Sequence, residues 1–563
     1  MNDRQRTVLA ILLMVGVALI PSLIRSNAQP PAPSTPDQVA MDLPEPPSSP
    51  DPAPEPTAPP PAEVLPEVFS TPEDPDARDP GRPVVVTSPI YSYTFSERGA
   101  RLIGASLTQY KSLRPADGDS VDVQIIPENS LFLRYQLVFG SDTVSLADWE
   151  FEPSKQNVSV GADGAELTWT ASRGSARVRL TYTFAPDRYV FDIRGELSGL
   201  PGGNAPLLLI GLGPQLRSAE ADSVEDQRAL GVVTKDNRTE NHKFSSVGVG
   251  EVQPLNGPFE WVAIKSKYFL TVLLAVEDNE PRFGGATLLG GPQTSRTENN
   301  VAVNVALAVP TSTFQMSMYV GPQENRRLQA IGHDLTDVNP YGWIFRPIIG
   351  PISQVIVRVL VWGRENLKLS YGVLLILFGV GIRILIWPLN QKAMRSQMSM
   401  QALQPEMEAL KRKYKNDPQK MQQETMKLYK EHGANPLGGC LPMLLPMPIL
   451  FAFFFVFMNT IELRGVAFAW LPDLSRPDPL YIIPVMLGLS MFLSSKLGQR
   501  GLPPNPQTKM MLYIMPLVLT FLFLRFASGL NLYYASQNFA SVPQQWLLAK
   551  ERLRRSQGAP KKT

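Results

Sequence analysis

In its last third the chain is a succession of apolar runs: Tyr371 to Leu389, Leu437 to Asn459, Leu480 to Leu497, Met510 to Ala527 and Leu530 to Leu548. Each is close to the ~20 residues an α-helix needs to cross the hydrocarbon of a bilayer, where every backbone polar group must be satisfied within the segment. The spacing therefore predicts five membrane-spanning helices. A further run, Val8 to Ile24, follows Arg4 and Arg6. Two readings of it stand: a transmembrane anchor, or a cleaved signal peptide with small residues at Ser26 and Ala28. Either one sends the residues that follow out of the cytoplasm.

Bulk composition excludes several classes of function. The formal charge of +2 over 563 residues is too small for the broad cationic footprint of a nucleic-acid binder. Cys440 is the one cysteine, so neither an intrachain disulfide nor a thiolate metal cage can form. His242, His333 and His432 are too scattered to suggest a histidine metal site or a catalytic triad. There is no P-loop. The expectation is a protein that is not an enzyme and needs no cofactor.

Residues 29–83 are proline, alanine, serine and acidic residues with almost nothing to bury, which predicts an unstructured tether that could reach ~150 Å in polyproline geometry. From Val84 to about Tyr319 the period becomes two, as in Arg179 to Phe184 and Val301 to Leu307, with Tyr91 to Phe95, Tyr189 to Ile193 and Tyr268 to Val276 between turn-forming clusters. This predicts a large antiparallel sandwich. After it, Ile348 to Trp362 is apolar but broken by Pro351 and Arg358, as suits a helix lying along a membrane surface.

Orientation follows from Lys and Arg. Lys392, Arg395, Lys411, Arg412, Lys413, Lys415, Lys420, Lys427 and Lys430 lie between the first two carboxy-terminal runs, and Lys550, Arg552, Arg554, Arg555, Lys561 and Lys562 lie in the tail. Both regions are expected in the cytoplasm, with the sandwich outside and both termini inside. The segment Asn390 to His432 predicts a charged helical hairpin broken at Asn416-Asp417-Pro418. Met407, Leu410 and Tyr414 lie on one arm, and Met421, Leu428 and Tyr429 on the other. Its methionines, Met407, Met421 and Met426 among them, suit either a surface that accepts many apolar sequences or plain gap-filling. The basic tail fits ribosomal RNA, anionic lipid or orientation alone.

Arg383 interrupts Gly379-Val380-Gly381-Ile382 and Ile384-Leu385-Ile386. An arginine at the centre of a membrane helix costs about 2.5–3.5 kcal/mol on insertion scales, so it faces water or a partner rather than lipid. Snorkelling towards the helix end near Asn390 is the competing reading. Gly372, Gly379 and Arg383 share one helical face, which favours a position against other helices, and no acidic residue in the other runs is available to pair with it. Asn531, Tyr533, Tyr534, Ser536, Gln537 and Asn538 in the last run either line a wet cavity with Arg383 or bond neighbouring helices.

These motifs resemble the YidC family of membrane-protein insertases. Arg383 with Trp387-Pro388-Leu389, Asn435-Pro436-Leu437-Gly438-Gly439-Cys440 with Pro442, and Met447-Pro448-Ile449 are similar to its second and third spans. Ser528-Gly529-Leu530 with Leu532-Tyr533-Tyr534 and Asn538 is similar to its hinge and last span, and Trp261-Val262-Ala263, Lys267-Tyr268-Phe269 and Tyr341-Gly342-Trp343 to the outer domain and surface helix of its Gram-negative members. The resemblance implies an α+β membrane protein of the bacterial inner membrane. Its parts would be an uncleaved anchor at 1–28, the linker at 29–83, a periplasmic β-supersandwich at 84–335 and an interfacial helix at 336–368. A five-helix core would follow at 369–548, with its cytoplasmic hairpin at 390–435, and then a basic tail at 549–563.

The core would enclose a hydrophilic groove, closed outside, with Arg383 at its positive centre and Gly379, Asn531, Tyr533, Tyr534, Gln537 and Asn538 as its client-binding residues. Where the family's groove can carry a hydroxyl one turn before the arginine, this chain has Gly379. Client membrane proteins, the bilayer, the Sec translocon and, through the basic tail, the ribosome are the implied partners. A small-solute or anion transporter, for which internal repeats are expected but not found, and a membrane-anchored assembly scaffold are the rival readings.

Overall fold

The structure, a computed structural model, describes residues 81–563 apart from 116, 119–120, 129, 141, 201–205, 215, 276–281, 293–299, 340–344, 416, 433–446, 501–505 and 559–563. The run Val8 to Ile24, nearly all of the proline-rich stretch, Tyr341-Gly342-Trp343 and the motif Asn435 to Pro442 lie outside the described residues.

Alternation produces the outer domain. Along Ala176–Phe184 every second side chain is buried, and the strand pairs antiparallel with Ala165–Arg173 on one edge and Val190–Ser198 on the other. Three sheets, of five, nine and six strands, pack around one apolar core. At its centre Phe95 meets Tyr182 at 5.3 Å and Phe184 meets Phe191 at 5.2 Å between ring centroids. One pairing departs from the antiparallel expectation: Pro83–Thr87 runs parallel to Asn157–Ser159. Its other edge is already taken by the antiparallel strand Tyr91–Ser96, and a short segment passing over the sandwich covers the edge that remains.

Ten helices among the described residues are numbered here: α1 (Ser223–Ala229), α2 (Asn325–Ile331), α3 (Arg346–Asn366), α4 (Tyr371–Ala402), α5 (Gln404–Lys413), α6 (Pro418–Glu431), α7 (Met447–Asn459), α8 (Ile482–Gly498), α9 (Pro506–Phe523) and α10 (Ser528–Gly558). Within the range 336–368, where a surface helix is expected, lies α3. It buries Ile349, Ile356, Val357 and Leu360 against the bundle and leaves Ile348, Val355, Val359 and Trp362 exposed on its other side. Of the five expected spans, one described helix, Tyr371–Gln391, is both long and apolar enough to cross a membrane. Met447–Asn459, Ile482–Gly498 and Leu512–Phe523 are shorter apolar stretches. The residues before α7 lie outside those described, α9 begins on the polar Pro506-Gln507-Thr508-Lys509, and α10 carries polar residues along its length.

Sandwich and helices meet at the loop between α7 and α8. Ile461 packs into the core of the sandwich, and the Glu462 carboxylate accepts from the Asn325 N–H at the start of α2. Arg464 enters further: its Nε donates to Glu220 Oε1 at 2.6 Å, and its Nη atoms donate to the Lys111 and Ala219 carbonyls at 3.0 Å each. The same loop holds the start of α10, whose Ser528 and Gly529 N–H groups donate to the carbonyls of Arg476 and Leu474. Where the sandwich runs on towards α3, Lys265 donates to the Val338 carbonyl and to Asn339 Oδ1, and burial pulls its amine down to about 7.

Arg464→Ala leaves Glu220 buried without its cation, a change that costs ~3 kcal/mol when such a pair is broken. Burial already pushes the Glu220 carboxyl up to about 7 against the pull of Arg464, so loss of that pull raises it further. A carboxyl raised in this way contributes stability that is full below its ordinary value of 4.5, declines above it and is lost as pH rises through the folded value. The expected outcome is faster amide exchange of the loop 460–476 in the full-length variant, with a larger effect at pH 8 than at pH 6. Equal effects at the two pH values would remove Glu220 from the account.

Candidate functional site

The site is built where α4 lies against α10. Gly372, Gly379, Arg383 and Asn390 recur at steps of seven, four and seven residues, so all four fall on one face of α4. On the opposite face Ile384 and Leu385 are 64% and 72% exposed. A side chain at Gly379 would place its Cβ 2.9 Å from the Tyr533 carbonyl oxygen and 3.3 Å from Ser536 Cβ. The glycine thus brings the backbones of α4 and α10 together, as small residues do between membrane helices.

That approach encloses Arg383, which is only 9% exposed. Its Nη2 donates to Gln544 Oε1 at 2.8 Å, and the Asn390 amide oxygen, turned towards the guanidinium, accepts from Nη2 at 3.0 Å and Nη1 at 3.1 Å. Asn390 lies two turns further along α4, about 10 Å by helical rise. The arginine side chain therefore runs towards the carboxy-terminal end of its helix and ends on two buried amides rather than in open solvent. Both earlier readings hold a part of this geometry: the side chain reaches as a snorkelling arginine does, but into the interior. Among the described residues no carboxylate pairs with it, so the charge stays uncompensated.

From α10 a polar stripe runs past this charge and meets it through Gln544. Tyr534, Gln537, Asn538, Ser541 and Gln544 recur at three- and four-residue steps, while Phe539, Trp546 and Leu547 are exposed on the other side of the helix. Ser541 Oγ donates to the Asn538 carbonyl at 2.6 Å and lies 3.1 Å from Ser494 Oγ of α8. Tyr534 stacks on Phe523 with ring centroids 5.7 Å apart.

The other expected groove residues lie differently. Tyr533 is stacked on Phe453 of α7 at 3.9 Å within the apolar cluster of the bundle, and Asn531 Nδ2 donates to the Phe523 carbonyl at 2.9 Å near the start of α10. Of the stripe, Gln544 bonds Arg383 while Asn538 and Ser541 meet Ser494 of α8, whereas Gly379, Asn531 and Tyr533 hold helices together. Several buried polar atoms here have no partner: Arg383 Nε, Asn531 Oδ1, Tyr533 Oη, Asn538 Nδ2 and Gln545 Oε1. Such atoms are rare in a finished core, and Arg383 Nε and Asn538 Nδ2 mark places along these helices for water or a polar guest.

Gln544, Asn390, Ser494 and Ser541 are absent from the expected set. Their signal was present for Gln544, seven residues beyond Gln537 on the same face. In the hairpin, Met407 Sδ accepts from Tyr429 Oη at 2.7 Å across the two arms. Met421 is half-buried and Met426 exposed, so Met426 is the one of the three most available to a partner.

Comparison with known proteins covers nearly the whole described chain. A model of the 60Kd inner membrane protein family matches residues 362–555, and a model of the YidC periplasmic domain matches residues 83–358. A protein of Maridesulfovibrio salexigens named membrane protein insertase YidC is 30% identical over 97% of this chain and 99% of its own length. One of the same name from Oleidesulfovibrio alaskensis is 31% identical over 84% and 87%. Among solved structures, an active YidC insertase crystal structure with its first transmembrane domain resolved covers 83% of this chain and 92% of its own, at 18% identity and a TM-score of 0.34.

Gly379→Val sets branched carbon against the Tyr533 backbone, where a flexible side chain is not available to yield. Overpacking of this kind costs about 1–3 kcal/mol. The full-length variant is expected to melt several degrees lower in detergent than the wild type, with Gly381→Val, at a position with open space around it, close to neutral.

Proposed function

The chain belongs to the YidC family of membrane protein insertases, whose members work in the inner membrane and are not enzymes, and from that premise we propose how its own residues carry out insertion. Client segments enter a hydrophilic groove centred on Arg383, between α4 and the polar stripe of α10, and leave sideways into lipid. The observation that carries this reading is the guanidinium held by neutral amides inside an apolar bundle. Neutral partners satisfy its hydrogen bonds without cancelling its charge, so a positive centre remains for an acidic client tail.

Both termini, the hairpin and the basic tail lie in the cytoplasm in this reading, and the sandwich lies outside with the loop between α7 and α8. The bonds from that loop to the sandwich and to the start of α10 support a closed outer end. An acidic tail that reaches Arg383 has only the remaining membrane thickness to cross. A potential positive outside favours its passage by about 2.3 kcal/mol per elementary charge per 100 mV. The hydrophobic segment that follows gains roughly 25 cal/mol for each Å² of apolar surface taken out of water. Work beside the Sec translocon and contact with ribosomes through Lys550, Arg552, Arg554 and Arg555 complete the proposal.

The test is insertion of a single-span client with an acidic translocated tail into liposomes containing the purified full-length protein. Arg383→Ala is expected to lower insertion on the order of tenfold, the equivalent of about 1.4 kcal/mol, and Arg383→Lys to retain most of it. Unchanged insertion in both variants would remove the positive centre and favour the scaffold reading.

A further inference from the structure

Gln544 and Asn390 belong to different helices, and the insertase reading by itself requires neither. Gln544 is 1% exposed and Asn390 6%, so both amides are buried where an unmet polar group is costly. Gln544 has a fixed orientation: its Nε2 donates to the Trp387 carbonyl of α4 at 3.2 Å, which leaves Oε1 to accept from Arg383. It therefore ties α10 to α4 and to the arginine at once. Three hydrogen bonds to these two oxygens engage three of the five N–H donors of a guanidinium, and the Nε–H meets no acceptor.

We propose that Gln544 is a positioning residue: with Asn390 it forms an amide cradle that draws the Arg383 charge two turns along α4 and keeps it uncompensated, so that acidic client segments are selected at a fixed depth. The choice of amide is what matters chemically. A glutamate has nearly the shape of glutamine, but it would pair with the guanidinium as an ion and cancel the charge offered to the client. A neutral oxygen anchors the same nitrogen and leaves both the charge and the Nε–H for the incoming carboxylate. This inference rests on the groove reading and adds to it the residue that sets the depth and selectivity of the positive centre.

The experiment uses the full-length protein in liposomes and two single-span clients that differ only in whether the translocated tail carries aspartates or asparagines. The quantity read is the ratio of acidic-tail to neutral-tail insertion, which a general loss of folded protein does not move. Gln544→Glu is expected to lower that ratio about tenfold, a differential of the size one charge interaction supplies. Arg383→Ala should lower it as far, and the double variant no further than Arg383→Ala alone, because the two residues act as one unit. Should Gln544→Glu not accumulate in the membrane, Gln544→Met keeps the length, removes the acceptor and must also lower the ratio. A wild-type ratio in the Gln544 variants alongside a reduced ratio in Arg383→Ala would overturn the cradle while sparing the groove. A wild-type ratio in Arg383→Ala would overturn both.

Discussion

A guanidinium with no counter-ion among the described residues, enclosed among apolar helices, sets the terms for what surrounds it. At the centre of a membrane helix such a group costs a few kcal/mol, and the protein lowers that cost with hydrogen bonds instead of a carboxylate. This requires two buried amides on two helices, which in turn requires those helices to approach closely, and Gly379 permits the approach. Packing, polarity and charge at this seam follow from one another. Exposed Ile384 and Leu385 immediately beside Arg383 show how abruptly the environment changes from one face of α4 to the other.

The outer end of the bundle is held by a different kind of contact. Arg464 leaves the α7–α8 loop and finishes inside the sandwich, where Glu220 and two backbone carbonyls meet its donors and the Phe269 ring lies 5.4 Å away. Beside it a cavity of about 330 Å³ is lined by Tyr110, Lys111, Glu324 and Glu462, among others. Burial pushes the Glu462 carboxyl up to about 7, as it does for Glu220, so the seam concentrates ionisable groups that are held by geometry rather than by solvent. An arginine here fixes the sandwich to the loop that also starts α10, and thus joins the outer domain to the helix that carries the polar stripe.

Much of this was legible in the sequence because it follows from periodicity. Alternation located the strands of the outer domain, and the break at Asn416-Asp417-Pro418 gave the hairpin, where Asp417 accepts from the Lys420 N–H as the cap of α6. The shared face of Gly372, Gly379 and Arg383 pointed correctly to a helix contact. What escaped were relations between distant residues. Gln544 is 161 positions from Arg383, and nothing local marks it as that residue's partner. Arg464 carries no local sign of its role, which depends on Glu220 being folded 244 positions away. Tyr533 read as a groove residue because its hydroxyl is polar, yet its ring stacks on Phe453 and packing decides its place. Average hydropathy also says little about α10, which combines an exposed apolar face with a polar stripe that an average over the helix hides.

The central claim is that clients pass along the polar stripe of α10 that meets Arg383 through Gln544. Site-specific photocrosslinking of an insertion intermediate, arrested with its acidic tail in transit, addresses it most directly, with the probe placed in turn at Asn538, Ser541, Phe539 and Trp546 of the full-length protein. The account predicts client adducts from Asn538 and Ser541 while the tail is in transit, with Phe539 and Trp546 labelling lipid. Client adducts confined to Phe539 and Trp546 would place the route on the lipid-facing side of α10 and contradict the account.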